Sequence, residues 1–435
     1  MTITPDKVHE TLGKYIITDG FNLVFDLDKS KGCQIYDKKT NKYMLDCFSF
    51  FASAPLGTNH PKLANPEFIK KIGKLAVNKP TNSDIYTTEL ADFVNSFGKY
   101  AVPEHFKHLF FVSGGALAVE NGLKTAFDWK IRKNLEKNGK KKGTQVIHFN
   151  EAFHGRTGYT LSLTNTFNKN KVKYFPKFNW PRITNPKLTY PLNENNLKNV
   201  KELEKKALDE INKSIKNNTN DIAALIIEPI QGEGGDNHFR ADFFKALRKI
   251  CDEHEIMFIL DEVQSGVGLT GKMWAYQNYD FKPDIIAFGK KTQVCGIMVS
   301  DRVDEIKDNV FKIPSRLNST WGGNLIDMVR CQKYLEVIDE EKLIKNAEIQ
   351  GKVLLEGLED ISGKYPDKIS NARGLGLMCA FDCISSEKRD QLICDLYKNG
   401  LIVIGCGEKT IRFRPPLIIS EEEIKNALSI IGSTL

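Results

Sequence analysis

Short, mostly apolar runs alternate with longer segments in which apolar residues recur every three or four positions, and this alternation fills the middle of the chain. The runs at 108–112, 145–149, 222–228, 256–260 and 285–288 have the length of strands buried in a sheet. Helical periods lie between them, at 118–133 with Val119, Leu123, Ala126 and Phe127 on one face, at 197–216 and at 240–254. Such alternation predicts an α/β fold, a mainly parallel sheet with helices on both faces. Upstream, 66–75 and 87–100 read as helices, and 21–26, 33–36 and 42–51 as short strands of a small sheet that returns to pack elsewhere. After Trp321-Gly322-Gly323 the character changes. Helices are expected at 325–337 and 342–361, strands at 369–383 and 401–417 with a helix between them, and a last helix at 421–431. Ser420 caps that last helix, with Glu423 placed to complete a capping box. A second, smaller α+β domain is the expected result.

Composition narrows the class. At 435 residues the chain exceeds one ordinary core, so two or more domains are expected. Hydrophobic residues at 41% and charged residues at 27% fit a globular protein in water. The formal net charge is +7, yet the lysines are dispersed; the densest cluster, residues 130–142, reads as the solvated end of a helix and a loop. Nucleic acid is therefore not expected as a partner. A basic balance instead suits a substrate with carboxylates and a phosphorylated cofactor. Nine scattered cysteines without a CxxC pair point to reduced thiols in a cytoplasm. The polar opening MTITPDKVHE does not resemble a signal peptide, and no apolar run approaches the length of a membrane span.

The chemistry sits at strand ends, where open α/β sheets bind ligands. The 256–260 run is followed by Asp261 and Glu262, and the 285–288 run by Gly289-Lys290, placing a lysine 29 positions after a carboxylate. Taken singly, such an Asp is a cap and such a Lys a solvated surface residue. Together they are the pair that pyridoxal 5'-phosphate requires: an amine for its Schiff base and an acid beside its pyridine nitrogen. Ser113-Gly114-Gly115-Ala116, between a strand and a helix start, offers backbone N–H groups and a helix dipole to a phosphate. No Walker lysine follows it, which disfavours a nucleotide loop. Phe153 could stack on a planar ring, and Arg156 could grip a carboxylate. Arg412 and Arg414 fall on one face of a strand, and alternation alone leaves open which of them serves a site.

Five motifs occur in order: FHGR at 153–156, EPIQGEGG at 228–235, LDEVQSGVGLTGKMWA at 260–275, PDIIAFGK at 283–290 and TWGGN at 320–324. Over nearly its whole length the chain resembles the class III, fold-type I pyridoxal-phosphate aminotransferases. DEVQSGVGLTGKMWAYQ, AFGKKTQVCGIM and PSRLNSTWGGNLIDMVR resemble the branch acting on the ε-amino group of L-lysine, rather than the ornithine, acetylornithine or 4-aminobutyrate branches. Val294-Cys295-Gly296, where many relatives carry two glycines, is shared by that lysine branch.

The resemblance implies the roles. Lys290 matches the Schiff-base lysine, and the register from Pro283-Asp284 selects it over Lys291. Asp261 matches the partner of the ring nitrogen, Gln264 the residue near the phenolic oxygen, Gly115 and Ala116 the phosphate cup, and Phe153 the stacked ring. Thr320 matches a phosphate ligand given by the other subunit, with Asn318 beside it on the substrate side. Arg156 and Arg412 match the substrate-carboxylate arginines, and Glu233 a gate. The implied division is 1–60 and 321–435 as a small domain from both chain ends, around a large domain at 61–320. The implied reaction moves the ε-amino group of L-lysine to 2-oxoglutarate, giving 2-aminoadipate 6-semialdehyde and L-glutamate, in a homodimer with composite sites and no metal. The runner-up readings are another ω-aminotransferase, for ornithine or 4-aminobutyrate, and an aminomutase, which would need no 2-oxoglutarate.

Overall fold

The computed structural model describes residues 3–435. Near the N-terminus, β1 (Gln34–Asp37) and β2 (Lys42–Asp46) form an antiparallel hairpin. The main sheet follows: β3 (Phe106–Val112), β4 (Gln145–Phe149), β5 (Arg182–Ile183), β6 (Ile222–Ile227), β7 (Met257–Asp261), β8 (Ile285–Phe288) and β9 (Cys295–Ser300). Its strands lie in the order β3-β9-β8-β7-β6-β4-β5. From β8 to β5 every neighbouring pair is parallel, whereas β9 runs antiparallel to both β3 and β8. β6, β7 and β8 are buried at every position, which is why their sequences are unbroken apolar runs rather than alternating ones.

β9 is a strand that the sequence pattern does not predict. The chain reverses through a turn at Lys290–Thr292, with Gln293 at φ 62°, and inserts between β3 and β8. Gly296 permits this, since a Cβ there would lie 2.3 Å from the Phe110 carbonyl oxygen. The helix after β3 spans Gly115–Asn138, so the small-residue turn is its first turn, and Gly139 ends it in the left-handed conformation at φ 69°. One expectation fails inside it. Lys130 is buried, not solvated, and donates to the carbonyls of Glu255 (2.7 Å) and His254 (3.2 Å). Burial pulls its ammonium down to about 8.

The segments 21–26 and 47–51 are not strands. The first makes a single bridge, Phe25 to Asp37; the Asp37 side chain takes the Val24 N–H, and the Asp26 side chain turns the chain directly afterwards by accepting from the N–H groups of Asp28 and Lys29. The second ends in a left-handed turn, Ser49–Ala52, with φ between 41° and 62°. Left-handed backbone costs about 1–2 kcal/mol per residue, so tertiary contacts must hold it. Asp46 Oδ1 accepts from the N–H groups of Phe48 (2.8 Å) and Ser49 (2.7 Å), and Ser49 Oγ donates to the Arg414 carbonyl at 2.6 Å.

C-terminal to helices Leu325–Glu340 and Leu343–Lys364 come β10 (Ile369–Leu375), β11 (Met378–Cys383), β12 (Leu401–Ile402), β13 (Ile404–Cys406) and β14 (Thr410–Phe413). The expected strand at 369–383 is thus a hairpin closed over Gly376-Leu377, and the one at 401–417 is three short strands. A four-stranded antiparallel sheet runs β10-β11-β14-β13, and β12 adds in parallel to β2, which joins the two chain ends. The last helix, Glu421–Thr434, carries the expected capping box: the Glu423 N–H donates to Ser420 Oγ at 3.2 Å, and the Ser420 N–H donates to Glu423 at 2.9 Å. Among the described residues no helix is long and apolar enough to cross a membrane.

Candidate active site

A cavity of about 690 Å³ opens at the carboxyl ends of β7 and β8. β7 delivers Asp261 opposite Ala287 of β8, and the turn after β8 brings Lys290 back to the same wall. Gly115, Ala116, Phe153, Arg156, Glu233 and Gln264 line it as well.

Asp261 Oδ2 lies 2.9 Å from His154 Nδ1, and its Oδ1 accepts from the Val263 N–H at 3.1 Å. The other ring nitrogen of His154 is buried without a hydrogen-bond partner among the described residues. Glu228, at the end of β6, accepts from the backbone N–H groups of Phe153 (2.9 Å) and Gly232 (3.1 Å). It thereby ties the FHGR loop to the glycine-rich loop. Burial pushes its carboxyl up to about 7, with His154 opposing the shift and Asp261 adding to it.

The two adjacent lysines diverge. Lys290, at φ 54°, faces the cavity, and its amine lies 5.8 Å from the centre of the Phe51 ring. Burial first, then the cations of Arg412 and Arg414, pull it down to about 8, while Asp261 and Glu233 oppose the shift. Lys291 points away and is buried, donating to the Gln264 carbonyl at 2.7 Å and the Ala52 carbonyl at 3.3 Å. It clamps the left-handed turn to the loop after β7. Among the described residues the Lys290 amine has no hydrogen-bond or ion-pair partner, whereas that of Lys291 is taken up by two carbonyls.

Arg412 and Arg414, both on β14 or directly after it, share the oxygen of one amide. Each donates to Gln264 Oε1, at 3.0 Å and 3.1 Å. Gly232 makes room for that amide, since a Cβ there would lie 2.3 Å from the same oxygen. Their remaining partners separate the two roles. Arg414 is ion-paired with buried Asp236. Arg412 faces Glu233, with its Nη2 at 3.2 Å from Oε2. The other carboxylate oxygen of Glu233 is ion-paired with Lys171.

Arg156 is exposed at the cavity wall and has no ion-pair partner among the described residues. Asn318 and Thr320 are exposed and do not line the cavity; the Ser319 carbonyl between them accepts from Ser83 Oγ at 2.5 Å. The structure thus gathers Lys290, Asp261, Gln264, Glu233, Arg412, Phe153, Arg156 and the Gly115-Ala116 turn, and leaves Asn318 and Thr320 outside. His154, Glu228 and Lys171 are not singled out by the sequence. The first two stand inside quoted motifs; Lys171, in a polar stretch, carries no signal.

These residues suit a phosphorylated aromatic ring. The first turn of a 24-residue helix faces the cavity with backbone N–H groups and no side chain beyond the methyl of Ala116. Gly155 keeps this cradle open, since a Cβ there would lie 2.5 Å from Ala116 Cβ. A carboxylate held by a histidine offers a fixed negative charge to a protonated ring nitrogen, and Phe153 presents an aromatic face.

Comparison with known proteins agrees with this geometry. A family profile described as aminotransferase class-III matches residues 16–435. The L-lysine-epsilon aminotransferase of Mycobacterium bovis is 49% identical over 434 residues, covering 99% of this chain and 96% of the relative. The mitochondrial 4-aminobutyrate aminotransferase of Homo sapiens is 32% identical, covering 94% of this chain and 84% of the relative. Among solved structures, the lysine aminotransferase of M. tuberculosis in its internal aldimine form superposes with a TM-score of 0.97 at 49% identity, covering 100% of this chain and 99% of the other.

Proposed function

The chain belongs to the class III aminotransferases, and we propose that it is a pyridoxal-phosphate enzyme moving the ε-amino group of L-lysine to 2-oxoglutarate. The products are 2-aminoadipate 6-semialdehyde and L-glutamate. The observation that carries the assignment of an ω-amine donor is the Glu233–Arg412 pair at 3.2 Å. An ω-amine donor brings no carboxylate next to its reacting carbon, so the arginine waiting for one must be neutralised in that half-reaction. Likeness to lysine-acting relatives at 49% identity, against 32% for a 4-aminobutyrate enzyme, supports lysine as that donor.

Pyridoxal 5'-phosphate, when bound, supplies an aldehyde that condenses with amines and a ring that draws electrons from the carbon losing its proton. Gly115 and Ala116 would hold its phosphate, Phe153 its ring face, Asp261 its ring nitrogen and Gln264 its phenolic side. Lys290 would link to it and, once displaced, act as the base. Its Nζ would receive the proton that leaves Cε of L-lysine in one half-reaction, and would deliver a proton to the carbon that becomes Cα of L-glutamate in the other. An amine pulled down to about 8 is partly neutral near physiological pH, as a base there must be. Arg156 would bind the distal carboxylate of either substrate, and Arg412 the carboxylate next to the reacting carbon. Incubating the purified protein with L-lysine and 2-oxoglutarate and identifying the products tests the assignment. Turnover of ornithine or 4-aminobutyrate in preference to lysine would overturn it.

The working division remains 1–60 with 321–435 around 61–320, and nine free thiols support a reducing compartment such as the cytoplasm. We further assign the active unit as a homodimer in which Thr320, exposed and away from its own cavity, serves the partner's phosphate site with Asn318 nearby. Mixing Lys290→Ala with Thr320→Ala chains checks this. Heterodimers are expected to regain one site with intact Lys290 and Thr320, so activity rises above that of Thr320→Ala alone. No gain on mixing would return Thr320 to its own chain.

A further inference from the structure

Glu233 is held from two sides by two cations that belong to different parts of the molecule. Oε2 meets Arg412 of the C-terminal sheet, and Oε1 meets Lys171, at the end of a short turn, Lys169–Lys171, far away in sequence. That turn is fixed. Asn168 caps it by accepting the Asn170 N–H at 3.1 Å, and Val172 after it is buried. The Lys171 amine also lies 6.0 Å from the centre of the ring of Phe153, which lines the cavity. The side chains of Lys171 and Glu233 are 33% and 19% exposed, whereas that of Arg412 is 3% exposed. The carboxylate therefore bridges a buried cation and a half-exposed one.

A gate needs a resting place in each of its states. When an α-carboxylate reaches Arg412, Glu233 must leave, and a half-buried carboxylate leaving one cation without finding another pays desolvation without return. We propose that Lys171 is the positioning residue that receives Glu233 in that open state and so sets the balance between the amine donor and the dicarboxylate acceptor. The proposal rests on the gate reading given above. Lys171 touches no reacting atom; it acts through Glu233. In the closed state Glu233 keeps Arg412 and loses little without Lys171. In the open state Lys171 is its one remaining cation among the described residues.

The test is Lys171→Met, which keeps the length of the stem and removes the charge. Each half-reaction is followed in single turnover, with L-lysine and with L-glutamate. The ratio of kcat/KM values is expected to shift about fivefold against L-glutamate, the size of a partly exposed ion pair, with the change in KM rather than kcat. Binding of glutarate, a dicarboxylate that cannot react, should weaken by a similar factor in calorimetry. Lys171→Arg should restore both readouts. In a Glu233→Ala background, Lys171→Met should change neither. An unchanged ratio in the wild-type background, or the same shift without Glu233, overturns the role of Lys171. Equal losses in both half-reactions on Glu233→Ala alone would instead overturn the gate, so the two failures are told apart.

Discussion

Lys290→Ala is expected to lose transamination by roughly 10⁴-fold or more, because one substitution removes both the covalent anchor and the base. The bond that borohydride reduces between protein and cofactor should vanish with it. Lys291→Met should keep that bond, since Lys291 is turned away and spends its donors on the carbonyls of Gln264 and Ala52. Its activity should nonetheless drop, because the clamp on the left-handed turn is lost. Peptide mapping after reduction decides between the two lysines, and label on Lys291 would sink the assignment. The pH dependence has a definite sign. Burial lowers the Lys290 ammonium to about 8, so the neutral amine, and any step using it as base, should rise with pH and level off above that value.

Glu233→Ala should separate the half-reactions. Without Glu233, the buried guanidinium of Arg412 keeps only the shared Gln264 oxygen as a side-chain partner among the described residues. The lysine half-reaction should slow, because nothing then neutralises Arg412 while the ω-amine reacts. The glutamate half-reaction should hold or improve, because the α-carboxylate no longer displaces a competitor. The difference is on the order of 2–5 kcal/mol at most, the cost of breaking a buried charge pair. Single-turnover rates with each donor measure it. Comparable losses with both donors would make Glu233 a loop residue that merely holds the glycine-rich segment in shape.

The sheet and the core of the site are legible in the amino-acid sequence. Continuous apolar runs mark β6, β7 and β8, since strands covered on both faces cannot carry polar residues at alternate positions. Helix periods place the layers, and the strand ends place Asp261 and Lys290. Where local signals give out, the pattern misleads. β9 escapes it because an antiparallel strand squeezed between β3 and β8 owes its place to Gly296 passing the Phe110 carbonyl, a contact nearly two hundred residues apart. Residues 47–51 look extended because their aromatics favour strands; the left-handed turn is held locally by Asp46, which accepts its first N–H groups, and across the fold by Ser49 Oγ on the Arg414 carbonyl.

Local pattern thus settled most of the sheet, its helices and the placing of Asp261 and of the Lys290-Lys291 pair after strand ends, because those depend on burial and on position along a strand. Three matters needed the folded chain. Alternation left Arg412 and Arg414 equivalent; only the fold gives Asp236 to one and Glu233 to the other. Adjacent lysines differ by nothing in sequence except register, yet one enters the cavity and the other clamps a turn. Lys171 and His154 became part of the picture solely through what they touch. Ion pairs and hydrogen bonds between loops far apart in the chain have no period to read, so they are decided where the loops meet.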